Sequence, residues 1–175
     1  MRPTRKYSLP IRSMRPTARA AREVQELFLG AAIATPGFAV DTVYRPAQEV
    51  GGDFYQIWPA EDGSLLVVVG DVSGKGLKAA MQVAAVIGAL RNERHRSPAS
   101  LLNYLNRSLT GHTGGGFVTC LVARLSPAGT VSLANAGHLE PYLGGEEVAL
   151  ESGLPLGIAP PNTPRPRCRS RAKRS

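Results

Sequence analysis

Two aspartates in this 175-residue chain, Asp53 and Asp71, are the residues best placed to do chemistry. Each stands beside glycine, in VGGDFYQIW and in VVVGDVSGKG. Residues 65–70 (LLVVVG) lie between them and read as a buried strand, so Asp71 falls at a strand end. Carboxylates at strand ends suit a hard divalent cation, because Mg²⁺ and Mn²⁺ prefer carboxylate, carbonyl and water oxygens. The neighbouring glycines let a backbone carbonyl join as ligand, and they keep a bulky side chain from blocking access. A pair of such ions can lower the pKa of a water and produce a hydroxide nucleophile near neutral pH. A lone Asp-Gly is more commonly a tight turn bonding its own backbone. Two of them, one closing an apolar strand, favour metal.

The other candidates are weaker. GDVSGKG is not a phosphate-binding P-loop, since three residues rather than four separate Gly70 from Gly74, and Gly76 follows Lys75. Free N–H groups at the helix start there can still attract an anion, and Lys75 reads as a solvated surface cation. His138 follows a strand, where a histidine is more often a hydrogen-bonded structural residue than a base or ligand. Ser73 has no evident base. Cys120 sits in an apolar strand-like run and Cys168 in a basic tail, and no C-x-x-C exists, so neither a disulfide framework nor a zinc site is expected.

The elements that must position Asp53 and Asp71 follow from periodicity. Residues 1–18 carry three prolines and no hydrophobic period, and are expected to be disordered. Ala20, Val24, Leu27 and Phe28 recur at helical spacing, giving an amphipathic lead-in helix over 19–30 that ends at Gly30. Ala39–Tyr44 alternates like a strand, and Arg45-Pro46 interrupts it. GGDFYQIW is the next strand, and Glu61-Asp62-Gly63 the hairpin turn before the Leu65–Gly70 strand. Lys75–Asn92 reads as a largely buried helix with Leu77, Ala80, Met81, Ala84, Ile87 and Leu90 on its stripe, widened by Val83 and Val86. Ser97-Pro98 opens a second helix with Leu101, Leu102, Leu105 and Leu109 inward. Strands are expected at 117–125 and 131–135, with short ones near 141–143 and 148–150. Helices grouped beside antiparallel hairpins indicate an α+β layered fold rather than a doubly wound parallel sheet.

Charge is unevenly spread. The net charge is +8, but residues 1–22 and 163–175 hold 13 of the 21 basic residues and no acid. Residues 23–162 keep eight basic against all 13 acidic residues, a formal charge of −5. The basic tails (residues 159–175 form the second) read as solvated, disordered ends, and their lack of interleaved aromatics argues against specific nucleic-acid binding. No apolar run approaches the roughly 20 residues that cross a bilayer, and no secretory signal is evident, so a cytoplasmic protein is expected with no membrane partner.

Together YRPAQEVGGDFYQ, VVVGDVSGKGLKAAM, SPASLLNYLN, FVTCLVARL, NAGHLEPYL and GLPLG resemble the SpoIIE-type, RsbU-like branch of the PPM family of metal-dependent serine/threonine protein phosphatases. The resemblance covers roughly residues 20–158 and places a PPM-type domain over 31–158. It implies a four-layer αββα sandwich. It implies two Mn²⁺ or Mg²⁺ ions, and direct attack of metal-bound water on a phosphoserine or phosphothreonine. Asp53 matches the family's GGDFYD aspartate, Asp71 the bridging ligand of DVSGKG, and the Val72 carbonyl a backbone ligand. Gln56 stands where the family usually has aspartate. The substrates implied are phosphorylated anti-anti-sigma (STAS-type) proteins, and the lead-in helix resembles one linked to sensing or homodimerisation.

One departure matters. After PLG the family continues into a YTDG strand and a further aspartate, both supplying metal ligands. Here GIAPPNTP runs into RPRCRSRAKRS, without an acid. The expectation is a domain incomplete at its C-terminus, from truncation or frameshift, with little phosphatase activity. Three functions are therefore in view: a metal-dependent phosphoprotein phosphatase, a non-catalytic partner-binding remnant of one, and a nucleic-acid binder using the tails.

Overall fold

The computed structural model describes residues 35–45 and 51–158, and the backbone of 168–171. The expected lead-in helix over 19–30, both proposed tails apart from 168–171, and any dimer contact through that helix lie outside the described residues.

A five-stranded antiparallel sheet of order β1-β2-β3-β4-β7 forms the centre, with β1 Asp53–Pro59, β2 Leu65–Val72, β3 Val118–Leu125, β4 Thr130–Ala136 and β7 Cys168–Arg171. Two helices, α1 Gly76–Arg91 and α2 Pro98–Leu109, follow β2 in the chain. Side chains alternate along a strand, so in-register partners share a face. One face carries Phe54, Leu66, Val68, Val72, Val118, Cys120, Val122, Ala134 and Ala136, and packs with both helices into one buried cluster. The opposite face carries Asp53, Asp71 and Thr119 at one end, then Tyr55, Val69, Leu121 and Asn135 in the next row. A helix layer on one face of an antiparallel sheet is the α+β arrangement expected from the sequence.

α2 behaves as its pattern predicts. Leu101, Leu102 and Leu105 are fully buried, Pro98 occupies the first helical turn, and Ser97 is the N-cap residue. Its hydroxyl bonds Ser100 Oγ at 2.9 Å rather than capping a backbone N–H. α1 differs. Its buried face is Ala79, Val83, Val86, Ile87 and Leu90, while Leu77 and Met81 are 59% and 66% exposed. Val83 and Val86 lie at the centre of the stripe rather than its margin. The helix is accordingly rotated toward the β-branched residues, with Ala79 in its first turn already buried and Leu77 and Met81 facing outward.

The alternating segment at 39–44 forms no ladder among the described residues. Only the bridge Thr35↔Phe38 is present, and Val43 is 81% exposed. Without a hydrogen-bonded neighbour, alternation alone does not make a strand. Tyr44 and Tyr55 nonetheless hold this segment beside β1, through Tyr44 Oη donating to the Asp53 carbonyl at 3.3 Å and Tyr55 Oη to Thr42 Oγ1 at 3.4 Å. The late hairpin is Tyr142–Leu143 (β5) paired with Glu146–Glu147 (β6), not 148–150. Gly144 and Gly145, at φ of 64° and 87°, form its two-residue turn and set the register. The strand β7 falls where an unstructured tail is expected. The outer edge of β4 offers unpaired N–H and C=O groups, and residues 168–171 pair with Thr130–Leu133. Cys120 is completely buried, as the strand reading requires.

Candidate functional site

Asp53 and Asp71 are direct partners in the β1–β2 ladder, and Asp71 pairs in turn with Thr119 on β3. The three form one row on the face away from the helices. Cβ atoms of in-register antiparallel partners lie about 4.5–5.5 Å apart. Two carboxylates thus converge without an ion-pair partner among the described residues. Burial, and then the charge of Asp53, push the Asp71 carboxyl above the usual carboxylate range. Repulsion of this kind between paired carboxylates is what a bound cation relieves.

The glycines beside them are close-approach positions. A Cβ on Gly52 would stand 2.7 Å from Asp71 Oδ1 and 3.0 Å from the Val72 carbonyl carbon. Val72 N–H donates to the Gly52 carbonyl at 3.0 Å, which holds the two segments together. The Val72 carbonyl is thereby placed beside the Asp71 carboxylate, on the segment leading to α1. A Cβ on Gly70 would meet the Phe54 ring at 2.5 Å, so that glycine serves the core face rather than the acid. Gly74 and Gly76 are different again. Their φ values of 109° and 71° let the chain turn sharply around Lys75 into α1. Ser73 fixes this turn against the loop before β3, its N–H donating to the Phe117 carbonyl at 2.9 Å and its Oγ accepting from Phe117 N–H at 2.8 Å. Lys75 is exposed, as a surface cation should be.

His138 approaches the same end of the sheet. Its Nδ1 is 2.9 Å from Thr119 Oγ1. Its backbone is clamped by the buried Asn135, whose Oδ1 accepts from His138 N–H at 2.8 Å and whose Nδ2 donates to the His138 carbonyl at 2.9 Å. Burial lowers its pKa, opposed in part by the charge of Asp53, so the imidazole is neutral at neutral pH. The histidine is hydrogen-bonded, as expected, and it also borders the acids. A cleft of about 540 Å³ opens here between residues 40–45 and the β1–β2 face, lined by Tyr44, Arg45, Asp53, Tyr55, Val69 and His138 among others.

Asp53, Asp71 and the Val72 carbonyl therefore lie together at one end of the sheet. Thr119 and Tyr44 were not foreseen, since nothing in FVTCLV or TVYRP marks them out. Only the strand register and the path of residues 40–45 bring them to the acids. The oxygens present suit a hard divalent cation in type. They are few: among the described residues no group of three or more His, Cys, Asp or Glu side chains is placed to hold a metal. The donor set fits one edge of such a site, with water or further groups completing the shell.

The family described as Stage II sporulation protein E (SpoIIE) matches residues 61–171, more than half of the chain, and the chain belongs to that family. Protein IcfG of Synechocystis sp. (strain ATCC 27184 / PCC 6803 / Kazusa) is 37% identical over 73 residues, covering 40% of this chain and 11% of that protein. The RsbU and RsbW domains of Rv1364c from Mycobacterium tuberculosis superpose with a TM-score of 0.61 at 25% identity, over 74% of this chain and 38% of that one. The SiaA-PP2C domain of Pseudomonas aeruginosa gives a TM-score of 0.71 at 18% identity, over 90% of this chain and 66% of that one. RsbX in complex with magnesium gives 0.60 at 15% identity, over 75% and 65%. The fold is thus PP2C-like. The chain spans about a tenth of IcfG and well under half of the Rv1364c chain. No helix among the described residues is long and apolar enough to cross a membrane.

Proposed function

We propose that this chain acts on phosphoserine or phosphothreonine in a regulatory protein of the anti-anti-sigma type, with Asp53, Asp71 and the Val72 carbonyl facing Mn²⁺ or Mg²⁺. The observation that carries this is the in-register meeting of two exposed carboxylates that have no ion-pair partner among the described residues. Divalent cations, when bound, neutralise phosphoryl oxygens and acidify a water. The chain's own part is to hold two acidic side chains in register and to keep the approach clear at Gly52. His138 adds a fixed, neutral imidazole to the wall of the adjoining cleft, which is where a phosphorylated residue would enter. Family membership supports the phosphatase reading, and the magnesium complex of RsbX supports the metal. The RsbU domain solved beside an RsbW domain supports a partner-switching regulatory substrate.

The small number of acidic groups at the site favours a second reading, in which the chain binds its phosphorylated partner without turning it over. One experiment separates the two. The purified 175-residue chain is incubated with a phosphoserine-bearing regulatory domain and Mn²⁺, and released phosphate is measured. Turnover that requires Mn²⁺ and disappears in Asp71→Asn establishes the first reading. Partner binding without release of phosphate establishes the second. Neither binding nor release removes both.

A further inference from the structure

The opposite end of the β1–β2 hairpin carries a second cleft. Six residue steps along β1 separate Asp53 from Pro59, about 20 Å at the rise of a strand. The cleft has a volume of about 590 Å³ and lies between the hairpin turn (Pro59, Glu61, Asp62) and the turn joining α1 to α2 (Arg91, Arg94, His95). Trp58 and Leu66 line it as well.

Its walls are built rather than incidental. Arg124 reaches from β3 to both turns. One guanidinium nitrogen donates to Ser64 Oγ at 3.0 Å, and the other to the Arg96 carbonyl at 3.0 Å and to the Arg94 carbonyl. Ser64 in turn donates through N–H and Oγ to Asp62 Oδ1, at 2.9 and 2.6 Å. The two sides of the cleft are thereby fixed to each other through one side chain.

Arg94 is held in place inside it. Its Nε donates to the Arg91 carbonyl at 3.0 Å, and its guanidinium lies 5.9 Å from the centre of the Trp58 ring. Among the described residues its two terminal nitrogens have no hydrogen-bond or ion-pair partner, nor has the Arg91 guanidinium. His95 stands beside them, exposed and 3.9 Å from Glu93. A guanidinium held by ring stacking and by Nε presents a ready fork for paired oxygens. That fork, with the Arg91 guanidinium and an imidazole on the same wall, matches an anion with several oxygens and two charges. Facing them, Asp62 is engaged by Ser64 and Glu61 remains as an acceptor for a hydroxyl group, while Asn92 lies beside Arg91 at the end of α1.

We propose that this cleft is a binding site for a small hydroxyl-bearing phosphomonoester, such as a sugar or nucleoside phosphate, with Arg91 and Arg94 on the phosphoryl group and Glu61 on a hydroxyl. The site is separate from the carboxylate pair and does not depend on the function proposed for that pair.

Trp58 is the sole tryptophan in the chain, so its fluorescence reports this cleft directly. The full-length chain is titrated with glucose 6-phosphate, AMP, inorganic phosphate and glucose, each at constant ionic strength. The expected result is a saturable change with a phosphomonoester and none with glucose. Arg94→Gln and Arg91→Gln should each weaken it about tenfold, the loss of one charge-assisted contact. Asp71→Asn should leave it unchanged. Arg91 is exposed, so the Arg91→Gln chain should fold as the native one does, which circular dichroism checks. Equal response to inorganic phosphate and to the esters would overturn the hydroxyl part of the proposal. No saturable response to any ester, or a response that neither arginine substitution alters, would overturn the site.

Discussion

Asp71→Asn separates what the carboxylate pair does for stability from what it does for metal. The substitution keeps the side-chain shape and removes one of two like charges that face each other across β1 and β2. Burial, and secondarily Asp53, raise the Asp71 pKa on folding. A carboxyl whose pKa is raised in the folded state binds its proton more tightly there than in the unfolded chain. Its contribution is therefore unfavourable at neutral pH, and that penalty fades as the pH falls toward the unfolded value near 3.8. Like charges directly opposite on one sheet face oppose folding by about 0.2–1 kcal/mol. Both acids are exposed to solvent, whose screening keeps the effect in the lower half of that range. Metal-free Asp71→Asn should thus be about 0.3–0.5 kcal/mol more stable than the native chain at neutral pH, with the gap closing in acid. Mn²⁺ should invert the order. At ten times its dissociation constant it adds about 1.4 kcal/mol to the native chain and nothing to the variant. Urea unfolding with and without MnCl₂, at neutral and mildly acid pH, reads all four quantities. If the metal-free variant is instead less stable by more than about 1 kcal/mol, or if Mn²⁺ stabilises both chains equally, the carboxylates are not held in repulsion for a cation.

Three further outcomes follow from the packing. Gly52→Ala drives a methyl into the Val72 carbonyl oxygen and to 2.7 Å from Asp71 Oδ1, so it should destabilise by about 1–3 kcal/mol and weaken Mn²⁺ binding together, measured by urea unfolding and calorimetry. Arg124→Leu strips the donors from the Arg94 and Arg96 carbonyls and from Ser64, and should destabilise by about 1–3 kcal/mol, with Arg124→Lys recovering part of it. Leu105→Ala empties a fully buried position between α2 and the sheet, and should lower unfolding free energy by about 2–5 kcal/mol in the same assay.

The parts of this fold visible in the sequence are those whose signal is local. LLVVVG, FVTCLVARL and the leucines of α2 declare their elements because apolar spacing and burial coincide there. Asp53 and Asp71 were legible as a pair because a short hairpin between apolar strands has few registers, and the one found sets them opposite each other. The parts that were not visible depend on distant partners. α1 carries more apolar residues than one face can hold, so periodicity could not decide between Leu77 and Met81 and the valines; contact with β1 and β2 decided it. The segment at 39–44 has a strand's alternation but forms no ladder among the described residues. Residues 168–171 have no strand's alternation but meet an open edge. Thr119 became a neighbour of Asp71 only through the β2–β3 register. The role of Arg124 as a brace between two turns depends on backbone carbonyls that no sequence pattern displays.

The most direct test of the carboxylate pair is calorimetric titration of the full-length chain with Mn²⁺, run beside Asp53→Asn and Asp71→Asn. Saturable binding to the native chain, lost in both variants while their folding is retained, is the predicted result. Binding that survives both substitutions, or no binding to a natively folded chain, would contradict it.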